Sequence, residues 1–453
     1  MPLIVVTFNY RLGIFGFFHS KELADEASRQ NEVPLQFRST GNLGLVDAHY
    51  AFDWVCIFLK PSAPSTDADA ARVLRSRKIL QDLEVIQKIS QQSGSQQVLV
   101  SSRFSISNEF EGLVGSRYEL TRHVSGTINY LVLTPQLQIH IPRIILSSST
   151  CASIQLLRPS QAQSWFDAVC EKLHIDPRSD RSVAQLRDVA TEKLIEESSF
   201  ALSSFRPIWD DITITADARE VFSNPYVWDP SLKEVILGVC QNEPWIRQAA
   251  LLDQKSELPR LIKGRIPPSP PELRNRAYEL YAEDCLFPWF KVPPGVPRFH
   301  QSALAFEGHM RYYSPAQLFS DSFIRSEKGG RAIFRYVLSW VSAHFPPTWP
   351  VTHTADILLT FLHKSLAAAE VPVALSFVDQ LIAFSTGNRG KMLWKGYTSS
   401  QRCLNELDEN GTWQVLEDRN GAFDLMDEYS EFCSQVMNAS VKAGREGWSE
   451  MIR

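Results

Sequence analysis

Cysteine is scarce in this 453-residue sequence, and its spacing is not typical of a metal site. The cysteines are odd in number, scattered and without a Cys-x-x-Cys pair: Cys56, Cys151, Cys170, Cys240, Cys285, Cys403 and Cys433. This pattern argues against a zinc site and against a dense disulfide framework. We therefore expect free thiols and no bound metal.

An excess of charge of one sign is also missing, as are long apolar runs. Lys and Arg number 46 against 51 Asp and Glu, a net charge of -5, which gives no reason to expect nucleic acid as a partner. No apolar run approaches the ~18 residues of a membrane span. The first apolar run, 3–8, has no basic segment before it and no small-residue cleavage site after it, so no signal peptide is expected and localisation stays open.

The length and a hydrophobic fraction of 44% are compatible with one large α/β domain or with two to three average ones. Short apolar runs predict buried strands, whereas apolar residues at helical spacing predict helices. The predicted strands are 2–8, 235–239 and 334–340, and the predicted helices are 41–55, 272–284, 315–325 and 375–387. Residues 9–17 are predicted to form a glycine-punctuated loop.

Two polar residues lie where predicted strands end and loops begin, Glu243 after 235–239 and His353 within 349–356. A carboxylate at the end of a strand can hold an imidazole in one tautomer and stabilise its cation. The alternative for Glu243 is a cap or surface role, and a lone histidine among ten is commonly structural or exposed. The two residues thus predict an acid and base pair, against these simpler assignments.

Four segments together resemble the type B carboxylesterase family, the cholinesterase-like branch of the α/β-hydrolases. They are Val5 to Phe17, the helix Gly41 to Val55 with its Asn-Leu-Gly-Leu-Val-Asp start, and the Glu243 and His353 motifs. The resemblance implies an α/β-hydrolase fold, a mostly parallel central sheet with helices on both faces. It also implies hydrolysis of small-molecule carboxylic esters by a Ser-Glu-His triad, without cofactor or metal.

The resemblance places further elements and also shows departures from the family pattern. Residues 142–149 match the strand after the nucleophile elbow, and 165–173 match the next helix. Segment 57–129 departs from the family, so we interpret it as a divergent or inserted segment within a single domain over 1–453. The family's His-Gly-Gly oxyanion loop precedes the matched part, so the fold is expected to be incomplete at the N-terminus.

The nucleophile is the least defined member of the expected triad. No Gly-x-Ser-x-Gly motif occurs, although such small neighbours suit the strained elbow turn. Ser125, followed by Gly126, is the nearest match in the expected place, with Ser116 as a rival. The order Ser125, Glu243, His353 agrees with nucleophile, acid and base in α/β-hydrolases. Two alternatives to an esterase remain, a non-catalytic cholinesterase-like binding protein and an inactive fragment.

Arg11 and Asp47 correspond to family residues that form a structural ion pair beneath the site. A buried pair of this kind is expected to matter more when one partner is removed than when the pair forms. We therefore predict a structural role for both residues.

Overall fold

The structure, a computed structural model, describes residues 10–29, 40–58, 142–150, 152–153, 156–199, 205–214, 228, 231–245, 257–283, 296–325, 330–345, 349–398, 400–417 and 422–445. The predicted strand 2–8, Ser116 and Ser125 lie outside these ranges, as does segment 57–129 apart from its first two residues. The chain divides into two compact units, Met1–Ile141 with Leu156–Ala216, and Pro142–Gln155 with Asp217–Arg453. The single domain over 1–453 stays a prediction.

The first unit is helical in its described part. Its helices are α1 Gly13–Phe17, α2 Lys21–Ser28, α3 Leu43–Phe58, α4 Pro159–Lys172, α5 Ser182–Arg187 and α6 Thr191–Ser198. A buried cluster that includes Phe17, Leu45, Phe166 and Val169 holds them together. The predicted helices 41–55 and 165–173 are present as α3 and α4.

Residues 9–17 were predicted as a loop, and that prediction is wrong for the helical turn α1. Gly13 has a φ of +53°, a conformation that favours glycine, at the entry to the turn. The carbonyl of Leu12 accepts hydrogen bonds from the N–H groups of Phe15 and Gly16, both at 3.2 Å. A Cβ on Gly16 would lie 2.1 Å from the carbonyl oxygen of Arg11, so the close approach also requires glycine.

Arg11 and Asp47 form the predicted ion pair in the first unit. The Nε of Arg11 donates to Asp47 Oδ2 at 2.8 Å, and a second guanidinium nitrogen donates to Oδ1 at 2.7 Å. The Arg11 side chain is 47% exposed, so the pair is not buried as the family resemblance implied. An exposed pair of this kind contributes about 0–1 kcal/mol.

The second unit contains a sheet whose strand order follows the chain. Its strands are β1 Arg143–Ser147, β2 Glu234–Cys240, β3 Ala332–Leu338, β4 Cys403–Leu407 and β5 Trp413–Glu417. β1 to β4 pair in parallel, and β5 pairs antiparallel with β4. The residues of β2 from Val235 onward are buried, as expected of a central parallel strand. The carboxyl ends of β1 to β4 therefore share one edge.

Along the chain, helices separate and follow the strands of this sheet. They are α7 Glu257–Arg265, α8 Pro271–Leu280, α9 Arg298–Gly308, α10 Ser314–Arg325, α11 Ala355–Thr360, α12 Val371–Ser385 and α13 Ala422–Arg445. A π-helical turn, His309–Tyr313, joins α9 to α10 without a break. A buried cluster that includes Tyr281, Phe306, Phe432 and Val436 packs α7, α8, α9 and α13 together.

Within the described ranges one stretch, Ala368–Ser385, is long and apolar enough to cross a membrane by length and composition alone. Such a stretch is weak evidence for a membrane span, because core helices pass the same test. In this structure 44% of the stretch is buried. Phe377 and Phe384 have no exposed surface, and the Phe377 ring packs against Tyr336 of β3. This packing is typical of a core helix.

Candidate functional site

Glu243 lies in a tight turn directly after β2. The turn is closed by a hydrogen bond of 3.1 Å from the Trp245 N–H to the Asn242 carbonyl. The carboxylate folds back onto the strand end, where Oε1 accepts the Cys240 N–H at 2.6 Å. Glu243 has no exposed surface, so its side chain is fixed inside the protein.

His353 is brought to Glu243 by a backbone bridge one residue earlier in each segment. Asn242 and Thr352 pair in parallel, and the Asn242 N–H donates to the Val351 carbonyl at 2.9 Å. The next residues then meet, with His353 Nδ1 2.6 Å from Glu243 Oε2. Their side chains are 6% and 0% exposed.

The chemistry of this contact follows from what each atom can do. A carboxylate only accepts hydrogen bonds, so the proton of this contact belongs to His353 Nδ1. The neutral imidazole then has its basic nitrogen at Nε2, on the far side of the ring. Glu243 thus selects a tautomer and is placed to stabilise an imidazolium.

Asp356, three residues after His353, supports the neighbouring strand. Its Oδ2 accepts a hydrogen bond of 2.6 Å from the Tyr336 hydroxyl of β3. That hydroxyl also lies 3.1 Å from Ser147 Oγ at the end of β1. This series of hydrogen bonds, from β1 through β3 to α11, fixes the loop that carries His353.

Buried groups near Glu243 are held in their neutral forms. Burial raises the pKa of the Cys240 thiol well above its usual range, and the charges of Glu243 and Asp356 raise it further. Burial also raises the pKa of the Tyr313 hydroxyl, again with Glu243 adding to the effect. A neutral thiol is a poor nucleophile, so Cys240 does not compete for the chemistry of the site.

Within the described ranges, no group of three or more His, Cys, Asp and Glu side chains is arranged to hold a metal ion. Glu243 and His353 are instead paired with each other.

Comparisons with known proteins show which proteins this chain is similar to. The carboxylesterase family model matches residues 2–58. A carboxylic ester hydrolase from Gibberella moniliformis is 22% identical over 366 residues, which cover 78% of this chain and 57% of that protein. These matches show that the chain is similar to carboxylesterases. It spans little more than half the length of the curated relative that it matches.

Two solved structures share the fold of this chain. A PNB esterase gives a TM-score of 0.61 at 16% identity, covering 92% of this chain and 72% of that one. A carboxylesterase from Geobacillus stearothermophilus gives a TM-score of 0.60 at 17% identity, covering 93% and 74%. The likenesses confirm the predicted α/β-hydrolase fold, with its mostly parallel central sheet and helices on both faces.

The family pattern at the acid has Asp-Glu-Gly where this chain has Asn242-Glu243-Pro244. A proline fixes φ near -65°, so it fits only where no left-handed backbone is needed. No residue of the turn Asn242–Trp245 has a positive φ. Pro244 is therefore accommodated, and the departure does not displace the Glu243 carboxylate from His353.

Ser148, at the carboxyl end of β1, is a residue that sequence reasoning set aside as part of a strand. It follows β1 with a φ of +58°, and its N–H donates to the Gly238 carbonyl of β2 at 2.8 Å. Its hydroxyl is buried and has no hydrogen-bond partner among the residues that the structure describes. Non-glycine residues with positive φ cluster at functional sites. Three consecutive serines in the sequence gave no signal that distinguished this one.

Proposed function

We propose that this chain hydrolyses carboxylic esters of small molecules through an acyl-enzyme. His353 is the general base, Glu243 is the acid that orients it, and Ser125 is the nucleophile. The observation that carries the proposal is the buried hydrogen bond of 2.6 Å between His353 Nδ1 and Glu243 Oε2, in segments that follow neighbouring parallel strands. The match of residues 2–58 to the carboxylesterase family model and the order nucleophile, acid, base support it.

In this mechanism the hydroxyl oxygen of Ser125 attacks the ester carbonyl while His353 Nε2 takes its proton. Glu243 stabilises the imidazolium that forms. The proton then passes to the leaving alcohol, and an acyl-serine remains. Water, activated by the same imidazole, cleaves the acyl-enzyme and regenerates Ser125.

Hydrolysis of short-chain p-nitrophenyl esters tests the proposal. We expect His353→Ala to lower kcat by on the order of 10⁶, the cost of losing the base. Glu243→Gln is expected to lower kcat by on the order of 10⁴, the cost of losing tautomer control. Ser125→Ala is expected to lower kcat by on the order of 10⁶. His363→Ala is the matched control, because its ring bonds Ser365 and not the acid and base pair.

Fluorophosphonate labelling followed by peptide mapping identifies the nucleophile directly. The expected adduct is on Ser125. An adduct on Ser116 or Ser148 would contradict the Ser125 assignment while supporting a hydrolase. A folded protein with neither adduct nor turnover would overturn the hydrolase and favour the non-catalytic cholinesterase-like binding protein.

A further inference from the structure

The π-helical turn His309–Tyr313 contacts both members of the acid and base pair through consecutive residues. The Tyr312 ring lies 5.5 Å from the His353 ring, centre to centre. The Tyr313 hydroxyl lies on the backbone of the turn that carries Glu243. π-helical turns are rare in proteins, and those that occur are often located at functional sites. In an α-helix, the side chains of neighbouring residues point about 100° apart. In the wider π-helical turn, the neighbours Tyr312 and Tyr313 both reach the acid and base pair.

The Tyr313 hydroxyl holds both sides of the Glu243 turn. It donates a hydrogen bond to the Gln241 carbonyl at 2.6 Å and accepts one from the Glu243 N–H at 3.2 Å. The Cys240 carbonyl oxygen lies 3.3 Å from the same hydroxyl, which is a longer contact than the other two. Because burial keeps the pKa of Tyr313 above its usual range, the hydroxyl retains the proton that it donates.

The position of the Tyr313 ring is itself fixed. A Cβ on Gly308 would lie 2.7 Å from the ring carbon Cε2, so glycine leaves the space that the ring fills. An ion cluster anchors the start of the turn, where Glu307 forms ion pairs with Arg265 at 2.8 Å and with Arg311 at 3.0 Å. Glu307 is 1% exposed, so these contacts are shielded from solvent.

We propose that Tyr313 is a positioning residue that sets the Glu243 carboxylate against His353. The inference rests on the proposed function, since it concerns the acid of that triad. Glu243 is joined to its own strand end by one carboxylate oxygen and to His353 by the other. A shift of its backbone therefore moves the carboxylate from one partner or the other, and displacements of about 1 Å can cost 10²-fold in rate.

Tyr313→Phe tests the proposal, because it keeps the ring and removes only the hydroxyl. In ¹⁵N-histidine-labelled protein, the Nδ1–H proton of His353 is expected downfield of the amides, assigned by its loss in Glu243→Gln. Tyr313→Phe should shift that signal upfield or broaden it. It should also lower kcat at least tenfold, with KM within twofold. Gly308→Ala, which displaces the ring, should produce the same two changes.

Tyr281→Phe is the matched control. Tyr281 is also buried, and its hydroxyl lies 3.1 Å from Nδ1 of His309, a residue of the same π-helical turn. It is expected to leave the His353 signal and kcat unchanged even if stability falls. An unchanged signal in folded Tyr313→Phe, or equal losses in Tyr313→Phe and Tyr281→Phe, would overturn the proposal. Because the signal does not require turnover, the positioning role is tested even if no ester is hydrolysed.

Discussion

His309 is a fully buried histidine of the π-helical turn, and its burial links stability to pH. Burial lowers its pKa from 6.5 to about 3. Between these values the unfolded chain binds a proton that the folded protein excludes, so stability falls as the pH falls. The contribution is fully present above pH 6.5 and is lost as the pH approaches 3.

We predict that His309→Gln reduces this acid sensitivity. From pH 7 to pH 5 the histidine accounts for a loss of about 2 kcal/mol in the free energy of unfolding. Carboxylates titrate alike in both proteins, so the difference between the two slopes isolates His309. Urea unfolding at the two pH values measures it, and parallel slopes for the wild type and the variant would contradict the prediction.

At the scale of elements, the pairing of β2 with β3 depends on the absence of a side chain at Gly238. Gly238 lies opposite Tyr336 in the sheet register, and a Cβ there would meet the ring carbon Cζ at 1.7 Å. The ring cannot move freely, because its hydroxyl bonds Asp356.

We predict that Gly238→Ala destabilises the protein by about 3 kcal/mol or more, the upper range for overpacking a core. Removing the ring in Gly238→Ala with Tyr336→Ala should cost less than the sum of the two single changes. Gly390→Ala is the control, because its nearest new contact is 3.7 Å away. Denaturant unfolding gives all four values, and additive losses would show that no clash exists.

The strands β2 and β3 and the helix α12 were predictable because their signals are local. Apolar runs placed the strands of β2 and β3 within two residues of the observed Glu234–Cys240 and Ala332–Leu338. Helix α12 begins at Val371, four residues before the predicted 375. Its start has a proline in the first turn, which fits a helix start but which the apolar pattern alone did not include.

The two members of the acid and base pair were predictable from the sequence, whereas the contacts that hold Glu243 in place were not. Glu243 and His353 each follow a predicted strand and match a family motif. Tyr313 lies 70 residues from Glu243, and its contact arises only from tertiary packing. The turn α1 was missed because two glycines in 9–17 suggested a loop, while hydrogen bonds to Leu12 close a helical turn.

At the scale of the whole molecule, the sequence predicts one domain over 1–453, whereas the structure divides into two compact units. Unfolding experiments can decide whether the two units unfold together. Each unit has a buried phenylalanine that serves as a probe. Phe166 has no exposed surface in the cluster of the first unit, and Phe377 has none in the second. Truncation of such a ring costs about 3–5 kcal/mol.

A single domain unfolds in one cooperative transition, so we predict that Phe166→Ala and Phe377→Ala both lower the midpoint of the same transition. Scanning calorimetry with far-UV and near-UV circular dichroism measures it. Two independent folding units would give a different result, in which each substitution lowers one transition and leaves the other in place. Because the calorimetric and van't Hoff enthalpies agree only for two-state unfolding, their ratio in the wild type is a further test of one domain.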